Sequence, residues 1–203
     1  MFEETTIREF TELIASPSSI PGGGGASALV GAIGIALGDM VGEHTLGKKK
    51  YADVEEDIRV LMDKAQELRE KLVDCVDKDA IAFEPLSKAY RIPKDEPGRD
   101  ETLEKCLRDA AEVPMEIFNL TLEALEVVKD FSEKGSRLMI SDAATGALQL
   151  KAAMYGAAVN VKVNTNLMKD REYAGKLDSY IDAKIQKYSD LADEIFADYY
   201  NTL

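Results

Sequence analysis

The chain has 203 residues, of which 45% are hydrophobic and 31% charged, and this is enough for one sizeable core in a single domain over residues 1–203. Its formal net charge of −13 at pH 7 argues against nucleic acid and anionic membranes as partners, because both require a basic surface. Two cysteines without metal-ligand spacing, a single histidine and an N-terminus without a secretory leader pattern predict a cytoplasmic protein without a zinc site, although an oxygen-ligated ion is not excluded by these residues.

The first part of the chain predicts two helices separated by a run of glycines. Thr6-Ile7-Arg8-Glu9 has the form of a capping box and predicts a first helix that ends near Ala15. Gly22 to Gly25 follow a Ser/Pro turn, and the apolar segment after them predicts a second helix from about Ala26 to Leu46. Bare backbone N–H groups at a helix start suit an anionic or flat ligand, and the alternative is a flexible loop that caps the helix. No strand precedes the glycines and no Gly-Lys-Ser/Thr follows them directly, so the pattern does not match the nucleotide-binding loops.

The second helix carries small residues along one face, which allows another backbone to come very close. At about 100° per residue this face covers roughly an 80° arc, and its members are Ser27, Gly31, Gly34, Gly38, Gly42 and Thr45. A membrane dimerisation helix shows the same pattern. The uncharged run from Ala26 to Gly38 has only 13 residues, however, and Asp39 and Glu43 follow it, which favours a central helix buried in a bundle.

Lys48, Lys49 and Lys50 form the densest basic cluster of this acidic chain. A small anion would need local cations of this kind against the overall negative field. The alternative is that the three lysines satisfy the C-terminal carbonyls and dipole of the preceding helix.

A third helix is predicted from about Ala52 to Tyr90 by apolar residues that recur in alternating steps of four and three. The seam contains Val54, Ile58, Leu61, Ala65, Leu68, Leu72 and Cys75, and then Asp79 and Ala82. Asp79 is the exception, because a carboxylate at a core position costs free energy unless it is paired or used. An ion pair with a lysine of a neighbouring helix is the alternative to a functional role.

A fourth helix is predicted after a Pro/Gly-rich loop at residues 91–99. It extends from about Asp100 to about Lys134, and Pro114 is expected to kink or restart it. Gly135 is expected to end it.

The fifth and sixth helices complete the predicted fold. Ser141 is a good N-cap for a fifth helix that reaches about Asn160 or slightly beyond, and an amphipathic sixth helix covers about Glu172 to Tyr200. Polar residues that share about a 60° arc of the fifth helix predict a cavity or a buried network, and they are Asp142, Gln149, Asn160 and Asn164. No strand pattern of useful length is present. The sequence therefore predicts an all-α antiparallel bundle of about six helices, with a central, glycine-rich buried helix.

Several short motifs, taken in order and with their spacing, resemble the cyclodeaminase domain of formiminotransferase-cyclodeaminase and its stand-alone relatives, the methenyltetrahydrofolate cyclohydrolases. The motifs are Pro21-Gly22-Gly23-Gly24, Thr45-Leu46-Gly47-Lys48-Lys49-Lys50-Tyr51, Asp77-Lys78-Asp79-Ala80-Ile81-Ala82-Phe83, Arg91-Ile92-Pro93-Lys94, Glu112-Val113-Pro114, Ser141-Asp142 and Asn160-Val161-Lys162-Val163-Asn164. The resemblance covers almost the whole chain. Gly25 departs from it where a serine is usual, His44 departs where an asparagine or an apolar residue is commoner, and the formiminotransferase domain is missing.

The resemblance implies a dimeric, all-helical enzyme that acts on one-carbon tetrahydrofolates or their polyglutamates without a metal or redox cofactor. The expected reaction is cyclodeamination of 5-formiminotetrahydrofolate to 5,10-methenyltetrahydrofolate with release of ammonia. The alternatives are 5,10-methenyltetrahydrofolate cyclohydrolase activity and a non-catalytic folate-binding or scaffold role. The family's chemistry requires proton transfer by a group whose pKa suits neutral pH.

Two carboxylates are the candidates for that chemistry. Asp79 lies in an apolar seam, where burial should raise its pKa, and is the candidate general acid/base. Asp142, at a helix start, should be held ionised by N–H groups and can stabilise the cationic methenyl group, although these two roles can be exchanged.

Candidate substrate-binding residues follow from the chemistry of folate. The glutamate carboxylates suit lysines and bare amides, the pterin suits side-chain amides and an aromatic face, and Ser27 can supply the hydroxyl that Gly25 lacks. The predicted set is Gly22, Gly23, Gly24, Gly25, Ser27, Lys48, Lys49, Lys50, Tyr51, Phe83, Ser141, Gln149, Asn160 and Asn164.

Overall fold

The computed structural model describes residues 2–203, and within this range it contains six α-helices and no strand. The helices are α1 (Ile7–Ile14), α2 (Gly23–Glu43), α3 (Glu55–Ala89), α4 (Arg99–Lys134), α5 (Ile140–Thr165) and α6 (Arg171–Tyr200). Short 3-10 segments cover Phe2–Glu4, Lys49–Val54 and Arg137–Met139. The predicted all-α fold of about six helices is confirmed.

The centre of the bundle is the antiparallel pair α2 and α5, which has α3 and α4 on its inner side. Gly23 at the start of α2 lies against Asn160 near the end of α5, and Gly34 lies against Gly146. At the second of these contacts the two backbones can approach closely because Gly34 and Gly146 both lack a Cβ atom. Helix α6 packs on α5, and α3 packs on α4. The core between these helices contains fully buried large side chains, including Ile35, Leu72, Phe118, Leu125, Leu150 and Ile181.

The structure confirms the first cap and moves two other helix starts. The Thr6 hydroxyl accepts a hydrogen bond from the Glu9 N–H at 3.2 Å, and the Glu9 carboxylate accepts one from the Thr6 N–H at 2.9 Å, as the capping box predicts. Helix α2 begins at Gly23 rather than Ala26, so the glycines form its first turn instead of a loop. The prediction that Ser141 caps α5 is wrong, because the 3-10 turn before α5 leads into a helix that already begins at Ile140.

Helix α4 is continuous through Pro114, where a kink or restart was predicted. Proline has no N–H, so the Ala110 carbonyl oxygen loses its helical donor. The side-chain amide nitrogen of Asn164 on α5 replaces that donor, at 3.2 Å. Gly135 ends the helix as predicted.

The two faces of α2 differ. Its inner face packs tightly, with Gly38 against Val128 and Gly42 against Met62 and Phe131. Its outer face leaves Ile33 45% and Met40 39% exposed. By length and composition α2 is the one described helix that could cross a membrane, and half of its apolar window is buried inside the bundle.

Candidate functional site

A pocket of about 180 Å³ lies at the N-terminal end of α2, between this helix and α3, α4 and α5. Seven of the predicted site residues line it: Gly22, Gly23, Gly24, Asp79, Phe83, Asn160 and Asn164. Together with Gly25, which binds Asp79 from the same turn, they form what we call the glycine end of the molecule. Larger, more open grooves between α4 and α6 contain none of the predicted site residues.

The carboxylate of Asp79 lies directly on the first turn of α2. Its Oδ2 accepts a hydrogen bond from the Gly25 N–H at 2.9 Å. A Cβ atom at Gly24 would lie only 2.1 Å from Oδ1 of Asp79, so any residue other than glycine would collide with the carboxylate. At Gly25 a Cβ atom would lie 3.3 Å from the Val76 carbonyl oxygen of α3. These glycines therefore allow α3 to bring its acidic side chain against a helix start.

The environment of Asp79 favours the protonated form. Burial of the side chain raises the pKa of Asp79 above its ordinary value, and the hydrogen bond from the Gly25 N–H opposes this rise. No lysine or arginine in residues 2–203 lies within ion-pair distance of Asp79, so the alternative of a structural ion pair finds no partner there. A half-buried carboxyl group whose pKa is raised accepts a proton more readily than an exposed one, as a general base requires.

The two asparagines of α5 have different surroundings. The Asn160 amide lies beside Gly23 and donates from Nδ2 to the Gly156 carbonyl oxygen at 2.8 Å. Asn164 donates to the carbonyl oxygens of Ala110 and Asn160, at 3.2 and 3.0 Å. Asn164 is therefore committed to tying α4 to α5 at the pocket wall, whereas Asn160 presents its amide beside the glycine turn.

Ser27 does not line the pocket. Its hydroxyl donates to the Gly23 carbonyl oxygen at 2.7 Å, and the side chain fills the contact with α5. A Cβ atom at Gly156 would lie 2.2 Å from this hydroxyl oxygen. In this structure Ser27 packs between α2 and α5, and its contact with a substrate stays a prediction.

The remaining predicted residues, apart from Gln149, lie at the opposite end of α2 and α5. These residues are Lys48, Lys49, Lys50, Tyr51, Ser141 and Asp142, and together with the neighbouring Ser136 and Arg137 they form what we call the lysine end. The Lys48 ammonium lies 3.3 Å from the Ser136 hydroxyl, and the Ser141 hydroxyl lies 3.4 Å from the Asp142 carboxylate. The Tyr51 hydroxyl accepts a hydrogen bond from the Arg137 N–H at 3.1 Å, which lowers the pKa of Tyr51. The Lys50 ammonium lies 5.4 Å from the centre of the Tyr51 ring.

One chain does not bring the two candidate carboxylates together. Asp142 and Asn160 are 18 positions apart on α5, which is about 27 Å along the helix axis. Asn160 lines the pocket with Asp79, whereas Asp142 does not. Gln149 lies between the two ends, and its buried Oε1 has no hydrogen-bond partner among the described residues. The prediction of one cluster is therefore corrected to two, because residues on one face of a long helix can still be far apart along it.

Five residues that line the pocket are absent from the predicted site. They are Ser19, Ile20, Ala110, Pro114 and Val163. Pro114 could have been found from the sequence. A proline inside a helix leaves one helical carbonyl oxygen without its N–H donor, and a nearby polar side chain is then needed to donate to that oxygen. No group of three or more metal-ligating side chains occurs in residues 2–203.

The fold and the site define a class of protein: an all-α bundle that holds a half-buried carboxyl group against the glycine-rich first turn of a central helix. The family model described as formiminotransferase-cyclodeaminase matches residues 6–183. The chain belongs to this family, as its motifs predict.

Three relatives show how far the similarity extends. The chain is 36% identical over 173 residues to the methenyltetrahydrofolate cyclohydrolase of Methylorubrum extorquens, and this covers 83% of each protein. It is 29% identical over 188 residues to the formimidoyltransferase-cyclodeaminase of Mus musculus, where it spans 35% of that longer protein. The crystal structure of the formiminotetrahydrofolate cyclodeaminase of Thermotoga maritima matches 97% of this chain and 98% of its own, with a TM-score of 0.85 and 28% identity.

Proposed function

We propose that this protein is an enzyme of one-carbon folate metabolism that closes 5-formiminotetrahydrofolate to 5,10-methenyltetrahydrofolate with release of ammonia. The observation that carries the proposal is the Asp79 carboxyl group, which faces the pocket with a raised pKa and a single backbone hydrogen bond. The Thermotoga maritima relative, named a cyclodeaminase, has the same fold over nearly its whole length.

One carboxyl group is sufficient for the proton transfers of this reaction. The formimino group enters in its protonated form, –CH=NH2+. The folate N10 attacks its carbon, which converts the =NH2+ into a neutral amino group, and the N10 proton passes to the Asp79 carboxylate as the new C–N bond forms. Asp79 then donates this proton to the amino group of the tetrahedral carbon. The C–N bond to that group breaks, ammonia leaves, and the methenyl cation remains. Burial raises the pKa of Asp79, which makes its carboxylate a stronger base for the first transfer than an exposed aspartate would be.

The rest of the glycine end orients the substrate in this proposal. The N–H groups of Gly23 and Gly24 belong to the first turn of α2, where they have no helical acceptor and favour negative charge on a ligand. The Asn160 amide and the Phe83 ring lie in the same pocket, where they can contact the edge and face of the pterin.

Cyclohydrolase activity is the second candidate, because the Methylorubrum extorquens relative at 36% identity has that name. In this reaction water attacks the methenyl carbon and Asp79 takes one water proton. Asp79 returns a proton to N5 as its bond to the carbon breaks, and the second water proton is released to solvent. The two reactions share a tetrahedral carbon and differ in whether ammonia or water occupies one small space.

We further propose that the substrate is a tetrahydrofolate or its polyglutamate, that Lys48, Lys49 and Lys50 bind its carboxylates, and that the enzyme is a homodimer that needs no metal or redox cofactor. The three lysines are exposed, and they are the densest cationic group of a chain whose net charge is −13. A long anionic tail would be drawn to such a group.

The test is to assay one purified sample with formimino- and methenyltetrahydrofolate, and to measure thermal shifts with the same folates. Turnover of the first compound supports cyclodeamination and turnover of the second alone supports the hydrolase. Asp79→Asn should lower kcat by about 10² to 10⁴, whereas Asp74→Asn, at an exposed position of the same helix, should leave it unchanged. A thermal shift without turnover of either folate would leave only a binding role, and no shift at all would leave a scaffold.

A further inference from the structure

The side-chain amide of Asn164 is held in one orientation. The residue is only 8% exposed. Its Nδ2 donates to the carbonyl oxygens of Ala110 and Asn160, at 3.2 and 3.0 Å. An asparagine amide has two N–H donors, so both of them are used here. The reverse orientation would place Oδ1 against the same carbonyl oxygens without a hydrogen between them, which is repulsive.

Pro114 is the reason for this orientation. In an ordinary helix the N–H of residue 114 would donate to the Ala110 carbonyl oxygen, but proline has no N–H. A buried acceptor without a donor costs free energy, and the Asn164 amide supplies the missing donor. Pro114 therefore decides which atom of the Asn164 amide is bound to α4 and which is left over.

The atom left over, Oδ1 of Asn164, is an acceptor that faces the pocket. It accepts no hydrogen bond from residues 2–203, and the buried side-chain oxygens without a partner in that range are those of Asp39 and Gln149, so this one is open to the pocket that Asn164 lines. Asp79 lines the same pocket, whose volume of about 180 Å³ is roughly that of six water molecules. In so small a space the two side chains can both accept hydrogen bonds from one small group with several N–H donors.

We propose that Oδ1 of Asn164 binds the formimino nitrogen of the substrate and stabilises it as it leaves, and that Pro114 is a positioning residue that acts through Asn164. This nitrogen carries several N–H donors and a positive charge, both in the protonated formimino group and in the protonated amino group of the tetrahedral carbon. Asp79 supplies the proton, and Asn164 accepts a hydrogen bond from another N–H of the same nitrogen. The departing ammonia thus meets an acceptor that was oriented before the reaction.

This arrangement favours release of ammonia over hydrolysis. No bond to Asn164 forms or breaks, so its whole contribution is a hydrogen bond to the nitrogen. Hydrogen bonds from a charged donor are roughly twice as strong as those from a neutral one such as water. Loss of the acceptor should therefore cost cyclodeamination more than cyclohydrolysis. The identity of the nitrogen rests on the proposed function, whereas the orientation of the amide does not.

The first experiment measures the orientation without any folate, from the hydrogen exchange of side-chain amides by NMR. The Asn164 resonances are assigned by their absence in Asn164→Leu, and both of its amide hydrogens should exchange slowly in the wild type. In Pro114→Ala the N–H of residue 114 again donates to the Ala110 oxygen, so one of the two should exchange about tenfold faster. The Asn160 amide, which donates to Gly156, is the internal control and should not change. Unchanged exchange at Asn164 overturns the role of Pro114.

The second experiment removes the acceptor where the fold no longer depends on it. In Pro114→Ala/Asn164→Leu the helix satisfies the Ala110 oxygen by itself, and chemical denaturation checks that the variant is folded. Relative to Pro114→Ala, kcat with formiminotetrahydrofolate should fall by about 10- to 100-fold, and methenyltetrahydrofolate hydrolysis by about two- to threefold.

The single variant tests positioning, because it keeps the acceptor and only frees the amide to turn. Pro114→Ala should lower kcat with formiminotetrahydrofolate by about three- to tenfold and leave its KM nearly unchanged. Pro85→Ala is the matched control, because this exposed proline also lies inside a helix but does not line the pocket. Its kcat should equal that of the wild type.

The outcomes separate this inference from the proposed function. If the wild type releases ammonia and the double variant keeps the kcat of Pro114→Ala, the inference is wrong and the proposed function stands. An equal loss with both folates overturns the assignment to the leaving nitrogen. A wild type that does not turn over formiminotetrahydrofolate overturns the proposed function and the ligand of Oδ1 with it, and the NMR exchange still decides whether Pro114 orients the amide.

Discussion

The glycine end and the lysine end terminate the same pair of helices, but they are built in different ways. At the glycine end, missing Cβ atoms let α3 and α5 come so close that the carboxyl group of Asp79 rests on a helix start. At the lysine end, side-chain hydrogen bonds hold the chain together: the buried Thr45 hydroxyl accepts from the Ser136 N–H at 2.8 Å and donates to the Val41 carbonyl oxygen at 2.6 Å. The first arrangement fixes and desolvates one acidic group, whereas the second leaves cations in solvent, where they can bind a ligand or another chain.

The largest expected effect on turnover comes from adding one methyl group at Gly24, in the glycine end. Gly24→Ala places a Cβ atom where the Asp79 carboxylate lies, so we expect turnover to fall at least 100-fold and stability to fall by about 1–3 kcal/mol. Gly175→Ala on α6 is the control, because nothing lies within 4 Å of its added Cβ atom. That change should raise stability by about 0.5–1 kcal/mol without altering turnover. Chemical denaturation and steady-state kinetics measure both, and an active Gly24→Ala enzyme would contradict the role of the close approach.

A second change tests the wall of the glycine end. Asn164→Ala removes the donor that satisfies the Ala110 carbonyl oxygen, and we expect a loss of about 1–3 kcal/mol in the free energy of unfolding. In a Pro114→Ala background the helix regains its own N–H donor for Ala110, so the same Asn164→Ala change should cost about 1 kcal/mol less. A double-mutant cycle by urea denaturation measures the difference. Equal costs in both backgrounds would show that the amide of Asn164 does not replace the missing helical bond.

Charge reversal tests the lysine end. Lys49→Glu/Lys50→Glu should raise the KM for a polyglutamylated folate by about tenfold at low salt, and the effect should shrink as ionic strength rises. Lys184→Glu/Lys187→Glu on α6 changes the net charge equally but lies outside both ends, so its KM should stay near the wild-type value. An unchanged KM in the first variant would remove the lysine end from substrate binding.

The smallest expected effect is a pH-dependent gain in the free energy of unfolding when Asp79 is replaced by asparagine. Burial raises the pKa of Asp79 in the folded protein, so folding is favoured while the group is protonated and loses this contribution as pH rises through the folded pKa. Asp79→Asn cannot ionise and escapes that loss. The variant should therefore match the wild type well below the unfolded aspartate pKa of about 3.9 and be more stable than it at neutral pH. Denaturation across this range measures the difference, and a variant that is less stable at pH 7 would show that burial of the charge is not the dominant effect.

The elements that the sequence predicts well are those whose signals are local. The capping box at Thr6, the Gly135 terminator and the seam from Ile58 to Cys75 act within a few residues, and the structure shows each as expected. The start of α5 could not be predicted as well, because Ser141 has the right chemistry for a cap but a 3-10 turn already begins the helix before it. The continuity of α4 through Pro114 depends on Asn164, which is 50 positions away in the chain.

By itself, the sequence determined the helical class, the family and the unusual position of Asp79, because periodicity, motif order and a carboxylate in an apolar seam are properties of the chain alone. Only the tertiary structure decided which of the candidate residues meet. It brought Asp79, Phe83 and Asn160 to the first turn of α2 and left Asp142 at the far end of α5. The physical reason is that a helical repeat defines the direction in which a side chain points, whereas the position along a long helix and the neighbour it meets depend on how the helices pack.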